Sequence, residues 1–257
     1  MIQSQAMNTE GRYHRISLVR ELDLQRIQNA KICVIGAGSL GNEVLKNFAL
    51  YGISGITVVD YDYITTSHLS RCLLFREEDA AVRAPKAVVA SRRISELMGK
   101  GDVNFKNARI QELEVGFLAS FDVVVGCFDN VETRVFTDTV CYHNRIPYVD
   151  GGINGLYGRV QVVIPPETPC FCCTLNGSHS DIIDTSFSCN GNEIAYPTKY
   201  TPAEPAMASV VGGIQCLEAL KILSGNRSGK LILINGKVLD VQTLDIAVSE
   251  NCPNHWR

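Results

Sequence analysis

The chain has 257 residues, a formal net charge of −3 and a sequence pI near 6.0. This length allows a full hydrophobic core, and we expect a single domain over residues 1–257. The charge leaves no basic surplus for nucleic acid, and no apolar run approaches the roughly 20 residues that span a bilayer. Because the polar start "MIQSQAMNTEGRYHR" lacks the apolar stretch of a signal peptide, we expect a cytoplasmic protein with no membrane or nucleic-acid partner.

Apolar strands and helical segments alternate in the first half of the chain. Helical spacing occurs in "GNEVLKNFALYG", "PKAVVASRRISELMG" and "NVETRVFTDTVCYHN". The segments between them, "KICVIG", "GITVVD", "FDVVVGCF" and "IPYVDG", are short and β-branched, as expected of parallel strands buried on both faces. The order predicts an α/β fold with a doubly wound, mostly parallel Rossmann-like sheet over residues 31–150, preceded by an N-terminal arm or helix over residues 1–30.

The residues after Asp150 show a different pattern. Strand-like segments joined by turns, "GLYGRVQVVIP", "GKLILING" and "KVLDVQTLDI", surround the apolar helical segment "AMASVVGGIQCLEALKILSG". We expect this half, residues 151–257, to add antiparallel strands to the same sheet. A long irregular connection runs from Pro166 to Pro205, and connections of this length in compact proteins are usually functional or mobile.

A glycine-rich turn follows the first strand. Gly36, Gly38 and Gly41 form G-x-G-x-x-G at the start of a helical segment. Glycines allow a tight turn and close approach of phosphates, and the helix N-terminus offers free N–H groups at the positive end of its dipole. Asp60 follows 24 positions after Gly36, where an acid can hydrogen-bond ribose hydroxyls. The pattern predicts a nucleotide site, although a nicotinamide-dependent dehydrogenase would share it.

Charged residues beyond this acid favour a triphosphate. Arg71 and Lys86 follow it at positions where a nicotinamide enzyme has no need for two cations. Asp129 and Asn130 follow another apolar strand at its carboxyl end, the edge where open α/β sheets bind ligands. A carboxylate at that edge can hold Mg²⁺.

These groups suit attack by a carboxylate on the α-phosphorus of ATP. Two anions must approach each other, so the protein has to neutralise charge on the phosphates and at the developing pentavalent centre. The nucleophile is ionised at pH 7, so no general base is needed, and no histidine has an evident catalytic setting. Arg15 lies in "GRYHR", on what we expect to be a mobile arm. Singly, Arg15, Arg71 and Lys86 would be interpreted as solvated surface charges; their order and context favour the phosphate site.

In a protein that we expect in a reducing compartment, the ten cysteines are interpreted as buried apolar residues, metal ligands or nucleophiles. Cys170-x-x-Cys173 and Cys252-x-x-His255 supply three thiolates and an imidazole, a closed tetrahedral set for a structural Zn²⁺ with no catalytic role. Cys172 is an alternative member of the first pair, although its spacing fits less well. A second alternative is that none of these residues binds a metal. The cysteines expected to be small buried hydrophobic residues are Cys33, Cys127, Cys141 and Cys216.

This combination of motifs resembles the ubiquitin-activating-enzyme superfamily, in particular its compact ThiF/MoeB/HesA-type adenylyltransferases. The resemblance runs from about Arg12 to His255 and is carried by "GRYHR", "GAGSLGNEVLKN", "VVDYDYI", "SHLSRCLLF", "PKA", "FDN", "TPCFCC" and "CPNH". It implies ATP, Mg²⁺ and Zn²⁺ as cofactors and a homodimer as the assembly. The family usually holds its zinc with four cysteines, so His255 is a departure.

The resemblance also implies roles for individual residues. Arg71 and Lys86 match residues that contact the phosphates, and Asp129 matches the Mg²⁺-associated aspartate. Arg15 matches an arginine that reaches across the homodimer into the partner's site. Cys189 lies in the position of the crossover-loop cysteine, on a loop spanning about 176–204, which receives the acyl group or forms a persulfide link in some members; its covalent role stays open. The nucleotide-binding residues predicted in this way are Gly36, Gly38, Gly41, Asp60, Asp62, Arg71, Lys86, Asp129 and Asn130.

Several positions depart from the family's pattern. His68 and Cys72 stand where the family commonly has Asn and Gln around the arginine, and Ile16 stands where it has Gln. Two extra residues lie between Arg71 and Lys86. We expect the chain to retain adenylation activity despite these changes, but they indicate an unusual substrate.

We therefore predict an ATP-dependent adenylyltransferase that activates the C-terminal carboxylate of a ubiquitin-like or sulfur-carrier protein ending in Gly-Gly and releases pyrophosphate. The resemblance implies that apolar strands of the second half dock the body of that protein. Adenylation of a natural-product precursor peptide or a tRNA-base carboxylate stays open. A non-catalytic subunit of a heterodimer and a nicotinamide dehydrogenase are further alternatives, but Arg71, Lys86 and Asp129 argue against both.

Overall fold

The computed structural model describes residues 11–99, 103–114, 116–175, 202–226 and 229–255. The strands within these ranges are β1 (Lys31–Ile35), β2 (Gly55–Val59), β3 (Asn104–Lys106), β4 (Val123–Gly126), β5 (Tyr148–Asn154), β6 (Tyr157–Val163), β7 (Leu231–Asn235) and β8 (Asp240–Leu244). The α-helices are α1 (Leu24–Asn29), α2 (Ser39–Tyr51), α3 (Glu77–Ala81), α4 (Lys86–Met98), α5 (Val131–His143) and α6 (Pro205–Leu223). Short 3₁₀ turns cover Ile16–Leu18, Thr66–His68, Ile110–Glu112, Phe117–Ser120, Phe171–Thr174 and Pro253–His255.

The strands form one sheet in the order β3-β2-β1-β4-β5-β6-β7-β8. The first five strands in this order are parallel, and β6, β7 and β8 extend the sheet with antiparallel pairs. The α/β class and the antiparallel extension predicted from the sequence are confirmed. One sheet runs through both predicted halves of the chain, while the domain limits themselves stay a prediction.

The strand order reverses between β1 and β4. From β1 the chain builds outward to β2 and β3, then returns to the other side of β1 to form β4 and β5. Ligands of open α/β sheets bind beyond the carboxyl ends of the strands at such a reversal. The fold therefore predicts where a site should lie before any side chain is considered.

The sheet is covered on both faces, as its apolar strands require. In β1, Ile32 and Val34 point into one core with α2, α4 and α6, while Cys33 and Ile35 point into a second core with α5. The two cores explain why this strand is a continuous apolar run instead of an alternating one. The sheet is therefore doubly wound, as predicted.

Helix α6 packs on the first face of the sheet. Glu204 begins the helix by accepting N–H groups of its first turn. Gln215 reaches into the sheet, where its Nε2 donates to the carbonyl oxygens of Gly126 and Val149 at 2.9 and 3.2 Å. By length and composition α6 could cross a bilayer, so the expectation that no segment approaches this size is wrong for this helix; 56% of its apolar window is buried inside the protein.

Candidate functional site

The turn between β1 and α2 depends on its glycines for two different reasons. Gly36 has a φ of +96°, and a Cβ there would lie 2.5 Å from the carbonyl oxygen of Cys127. A Cβ on Gly41 would lie 1.9 Å from the carbonyl oxygen of Gly36, so close packing fixes both positions. A Cβ on Gly38, the N-cap of α2, would have no described atom within 4 Å. This side of the turn is open, beside the positive end of the helix dipole.

Asp60 follows β2 and holds the glycine turn from the side. Its two carboxylate oxygens accept the N–H groups of Ala37 at 2.6 Å and Asp62 at 2.8 Å. Burial raises the pKa of Asp60 above its usual value, while the charge of Lys86 and the two N–H donors act against that rise. The sequence predicts only a contact to the nucleotide, whereas the carboxylate also fixes the backbone of the turn.

Lys86 begins α4 and pairs with Asp62. Its Nζ lies 2.5 Å from Asp62 Oδ2, and its N–H donates to the Asp62 carbonyl oxygen at 2.9 Å. The Lys86 side chain is 8% exposed and that of Asp62 is 51% exposed. Burial acts to raise the pKa of Asp62, but the hydrogen bond from Lys86 and other local groups hold it below its usual value. The ammonium group is therefore held by a carboxylate that faces water.

Arg71 approaches the turn from the segment after β2. Its carbonyl oxygen accepts the hydroxyl of Ser39, the first residue of α2, at 3.0 Å. Burial and the charges of Lys86 and Arg71 lower the pKa of His68 to about 4, so this imidazole is neutral at pH 7. Burial raises the pKa of Cys72 to about 11. The two residues that depart from the family's pattern are thus uncharged and lie close to the cations, which sequence reasoning did not foresee.

Asp129 lies beyond the carboxyl end of β4, where its side chain is exposed. The Asn130 Nδ2 donates to Asp129 Oδ1 at 3.3 Å, and the Asn130 Oδ1 accepts the N–H of Thr133 at 2.8 Å. Asn130 is therefore the N-cap of α5. The cap orients the turn, and the Asp129 carboxylate faces solvent, as a cation ligand requires.

A buried network that the sequence analysis missed supports this turn. The Arg134 guanidinium donates to both oxygens of Asp150 at 2.6 Å and to the Phe128 carbonyl oxygen at 2.5 Å. Tyr148 donates its hydroxyl to Asp150 at 2.9 Å. Burial acts to lower the pKa of Arg134, but the charge of Asp150 keeps it above its usual value. The backbone directly before Asp129 is therefore anchored by a buried ion pair.

The sheet register brings these groups to one edge. Ile35, the last residue of β1, pairs with Val59 of β2 and Gly126 of β4. The glycine turn, Asp60 and Asp129 begin one to three residues beyond these three positions. The predicted nucleotide-binding residues that meet around this edge are Gly36, Gly38, Gly41, Asp60, Asp62, Arg71, Lys86, Asp129 and Asn130. The arrangement joins an open helix N-terminus, Lys86 with its half-exposed partner Asp62, the nearby charge of Arg71 and a solvent-facing carboxylate at the observed reversal of strand order.

Arg15 is not brought to this edge within its own chain. It is exposed and directly precedes the first 3₁₀ turn. Arg12 donates to the Met98 carbonyl oxygen at 2.6 Å, at the end of α4, and the Tyr13 ring packs on Gly52 at the end of α2. Both helices start at the glycine-turn edge and have 13 residues, a length of about 20 Å. The arm therefore lies at the far end of the two helices from the candidate site.

The two predicted metal-binding pairs meet in the folded chain. Ligand atoms of Cys170, Cys173, Cys252 and His255 all lie within 4.8 Å of one another. The Cys170 Sγ is 3.8 Å from that of Cys173 and 3.4 Å from that of Cys252. Tetrahedral zinc with bonds of about 2.3 Å to sulfur needs sulfur atoms roughly 3.8 Å apart. The cluster could hold such a metal, and we call it the cysteine–histidine clip.

Neighbouring polar groups orient the clip. His255 Nδ1 lies 2.9 Å from the Tyr142 hydroxyl, while its buried Nε2 has no hydrogen-bond partner among the described residues. Burial lowers the pKa of His255, which favours the neutral imidazole that binds metals. Asp138 accepts the N–H groups of Phe171 and Cys172 at 2.9 and 3.2 Å. The unpartnered Nε2 is what a fourth metal ligand would present. Cys172 also lies near Cys170 and Asp138 in a second candidate group, but the Asp138 oxygens are already occupied.

The remaining cysteines divide as the sequence predicts. Cys33, Cys127, Cys141 and Cys216 are buried in the two cores. Burial raises the pKa of each thiol above its usual value, to about 12 for Cys216, so none is a reactive thiolate at pH 7. Cys189 lies outside the described residues.

Comparisons with known proteins bear on this site. A model of the ThiF family matches residues 11–254. The NEDD8-activating enzyme E1 catalytic subunit of Arabidopsis thaliana is 37% identical over 158 residues, which cover 56% of this chain and 34% of that protein. The sulfur carrier protein ThiS adenylyltransferase of Escherichia coli K12 is 28% identical over 249 residues, which cover 94% of this chain and 93% of that protein.

The fold also resembles a solved structure. The crystal structure of E. coli MccB with MccA superposes with a TM-score of 0.76 at 20% identity, covering 96% of this chain and 74% of that one. This likeness concerns the fold alone. The chain spans about a third of the length of the Arabidopsis relative and nearly all of the length of the bacterial adenylyltransferase.

Proposed function

The chain belongs to the ThiF family, as its motifs predict, and on this basis we propose that it is an ATP-dependent adenylyltransferase that activates a carboxylate. One observation carries the proposal. Lys86 and the exposed Asp129 lie at the edge that carries the open side of the glycine turn, and the Arg71 backbone contacts Ser39, the first residue of α2, while its guanidinium donates to the Ser67 carbonyl oxygen. A dehydrogenase would need the turn but neither cation.

In this proposal, different residues contact the phosphates, the ribose and the metal ion of ATP. The N–H groups at the start of α2, beside Gly38, face the phosphates, and Asp60 orients the turn while it can still accept a ribose hydroxyl. Lys86 exchanges the half-exposed Asp62 for a phosphate oxygen, and Arg71 adds a second positive charge. Asp129 would hold Mg²⁺, which neutralises charge on the leaving pyrophosphate.

The chemistry then needs no proton transfer from the protein. A carboxylate oxygen of the substrate forms a bond to the α-phosphorus, and the bond from that phosphorus to the bridging oxygen of the β-phosphate breaks. Pyrophosphate leaves with the electron pair, and an acyl-adenylate remains. The contribution of this chain is therefore neutralisation and alignment of two anions.

We propose a ubiquitin-like or sulfur-carrier protein ending in Gly-Gly as the substrate. Relatives that match nearly the whole chain support this class, since one is named for adenylation of a sulfur carrier protein. An exposed apolar surface on the antiparallel strands would contact the body of such a protein. Its members, Tyr157, Leu233 and Leu244, share one face by register and are 46, 38 and 39% exposed.

A precursor peptide is the second candidate substrate. The fold likeness to MccB, solved with MccA, supports it, as do His68 and Cys72, which alter the surroundings of the phosphate-side arginine. A candidate carrier protein and a candidate peptide can be compared in the same exchange assay, because only the true class stimulates it.

We further propose that the cysteine–histidine clip holds a structural Zn²⁺. Three thiolates and the unpartnered Nε2 of His255 fill a tetrahedral shell and leave no position for substrate. Elemental analysis of purified protein should find one zinc per chain. A value near zero, with folded protein, would contradict this assignment.

Arg15 would act in a homodimer. Because its arm lies at the far end of α2 and α4, it can serve a site only in another copy of the chain. Mixing an Arg15→Ala variant with an Asp129→Ala variant should therefore restore part of the activity, since one mixed dimer site is intact. No recovery in the mixture would exclude a shared site.

Exchange of labelled pyrophosphate into ATP, in the presence of a carrier ending in Gly-Gly, tests the central proposal. Asp129→Ala should abolish exchange, because the metal-bound leaving group loses its anchor. Glu21→Ala, an exposed carboxylate beside α1, is the matched control and should retain exchange. Normal exchange in Asp129→Ala, or none in the unmodified protein with any carrier or peptide, would refute the assignment. Cys189→Ser should retain exchange and lose only a later acyl or sulfur transfer.

A further inference from the structure

A cavity lies at the edge of the sheet opposite the candidate ATP site. Its volume is about 550 Å³, and Ala30, Asp122 and Pro147, which line it, directly precede β1, β4 and β5. These strands are parallel, so the cavity lies at their amino ends and the glycine turn at their carboxyl ends. The five residues of β1 separate the two by roughly 16 Å. The cavity is therefore a second place with room for a small molecule.

Two arginine side chains line this cavity without a counter-ion. Arg26 belongs to α1, and Arg145 follows the carboxyl end of α5. Neither guanidinium forms an ion pair or a hydrogen bond within the part of the chain that the structure describes. Each offers several N–H donors in a planar fork, which matches the oxygen atoms of a phosphate group. The two arginines therefore favour an anion with more than one charged oxygen.

The backbone of Arg145 has a conformation that is unusual for an arginine. Its φ is +59°, in the left-handed region that glycine adopts without steric cost. The turn itself uses only backbone groups of this residue, since its N–H donates to the Tyr142 carbonyl oxygen at 3.2 Å. Glycine would make the same hydrogen bond with less strain. A strained residue whose side chain lines a cavity indicates a use for that side chain.

The other groups of the lining suit a hydroxylated ligand with an apolar end. Asp122 is fixed to β1, because its Oδ2 accepts the N–H of Lys31 at 2.7 Å. Asp122 Oδ1 and Asn29 Oδ1 have no donor among the described residues, so both can accept a ligand hydroxyl group. Ile222 and Leu223, at the end of α6, add an apolar wall. The cavity thus offers separate positions for a charged group, hydroxyl groups and an apolar group.

We propose that this cavity binds a phosphate monoester with a hydroxylated body, the chemistry shared by nucleoside monophosphates and sugar phosphates. Arg26 and Arg145 hold the phosphate, while the free oxygens of Asp122 and Asn29 accept hydroxyl groups. The inference goes beyond the proposed adenylation, because the cavity lies at the opposite edge of the sheet and shares no residue with the candidate ATP site.

Hydrogen–deuterium exchange followed by mass spectrometry tests the proposal without requiring turnover. The phosphate probes are AMP and glucose 6-phosphate, and adenosine and glucose are their matched probes without phosphate. At about ten times its Kd, a phosphate probe should slow exchange about tenfold in residues 22–30 and 143–148. Adenosine and glucose should leave both segments unchanged. Binding of AMP at the candidate ATP site is recognised separately, by slower exchange in residues 36–51.

The two phosphate probes distinguish the sources of the ligand. Protection by both would support the proposal and show that the phosphate and hydroxyl groups suffice. Protection by AMP alone would also support it and show that the base contacts the apolar wall. No protection by either probe, or equal protection by adenosine and glucose, would overturn the inference.

Three variants separate binding from folding. Arg145→Gly removes the guanidinium and the backbone strain together, so protection should disappear while the urea midpoint of unfolding stays nearly unchanged. Arg26→Gln should also lose protection. Arg83→Gln is the matched control and should keep it, because Arg83 is an exposed arginine with a φ of +50° that does not line the cavity. Full protection in Arg145→Gly would overturn the inference. A clearly lower urea midpoint in that variant would also overturn it, since Arg145 would then serve the end of α5.

Discussion

Two ion pairs flank the glycine turn, and they differ in their access to water. Arg134 and Asp150, on the β4–β5 side, are 10% and 0% exposed in their side chains. Lys86 and Asp62, on the β2–α4 side, are 8% and 51% exposed. The first pair also engages backbone carbonyl groups and the Tyr148 hydroxyl, whereas one partner of the second pair faces solvent.

The difference explains how the glycine-turn edge of the sheet can combine a rigid framework with a side chain that changes its partner. A buried pair with every hydrogen bond made cannot change partner without leaving a charge in a medium of low polarity. A pair with one solvated member can, because water or a phosphate replaces the partner at little cost. We therefore assign the first pair to the framework and the second to ligand binding, and three predictions test this division.

The largest effect is expected on breaking the buried pair. Arg134→Met leaves Asp150 without its counter-ion and should lower the free energy of unfolding by about 3–5 kcal/mol. Urea denaturation followed by circular dichroism measures the change. The double variant Arg134→Met/Asp150→Asn removes both charges and should recover a large part of the loss. A single-variant loss under about 1 kcal/mol would place Arg134 with the exchangeable groups.

Removing the open pair should affect activity instead of stability. Lys86→Met should change the free energy of unfolding by no more than about 1 kcal/mol, because water takes over the half-exposed Asp62. Pyrophosphate exchange should fall by at least about 100-fold, since a phosphate-binding cation is lost. Lys46→Met breaks the comparable Lys46–Glu43 pair on α2 and should leave exchange unchanged. Equal losses of exchange in both variants would contradict the assignment.

The smallest effect concerns the neutral histidine beside the cations. The pKa of His68 is about 4 in the folded chain and near 6.5 when unfolded, so between these values only the unfolded state binds the proton. Stability from this group is complete above pH 6.5 and falls as the pH drops towards 4. After allowance for solvent screening we expect a loss of about 1 kcal/mol.

Comparison of variants isolates this contribution. Urea unfolding at pH 7 and pH 5 should show a smaller pH dependence in His68→Gln than in the unmodified protein. His143→Gln, at the exposed end of α5, is the matched control and should retain the full dependence. If His68→Gln has the same pH dependence as the unmodified protein, the imidazole is protonated at pH 5 in the folded chain as well as in the unfolded chain. His68 would then belong with the solvent-accessible Lys86–Asp62 pair.

The parts of the fold that the sequence predicts are those in which the pattern is local. Continuous β-branched runs identify β1, β2 and β4, because strands covered on both faces have no polar side. The short strand β3 gives no such signal, since all three of its residues are exposed at the sheet edge. Helix α3 likewise cannot be recognised from the sequence, because "EEDAA" lacks an apolar stripe.

The same limit applies to the site. The glycine turn, the acid after β2 and the spacing of the clip residues can be found in the sequence because each is a fixed pattern. The pairing of Arg134 with Asp150, 16 residues apart, arises only when α5 packs on β5. The neutral state of His68 depends on burial near Arg71 and Lys86, which the spacing alone does not report.

The cysteine–histidine clip joins chain segments 82 residues apart, and helix α6, β7 and β8 lie inside the resulting ring. Closing so long a ring removes much conformational entropy from the unfolded chain. With metal bound, α6, β7 and β8 should open to solvent as one cooperative unit. Their slowest amide protons should then exchange at a common rate that chelation increases, while the amides of β1 and β2 keep theirs.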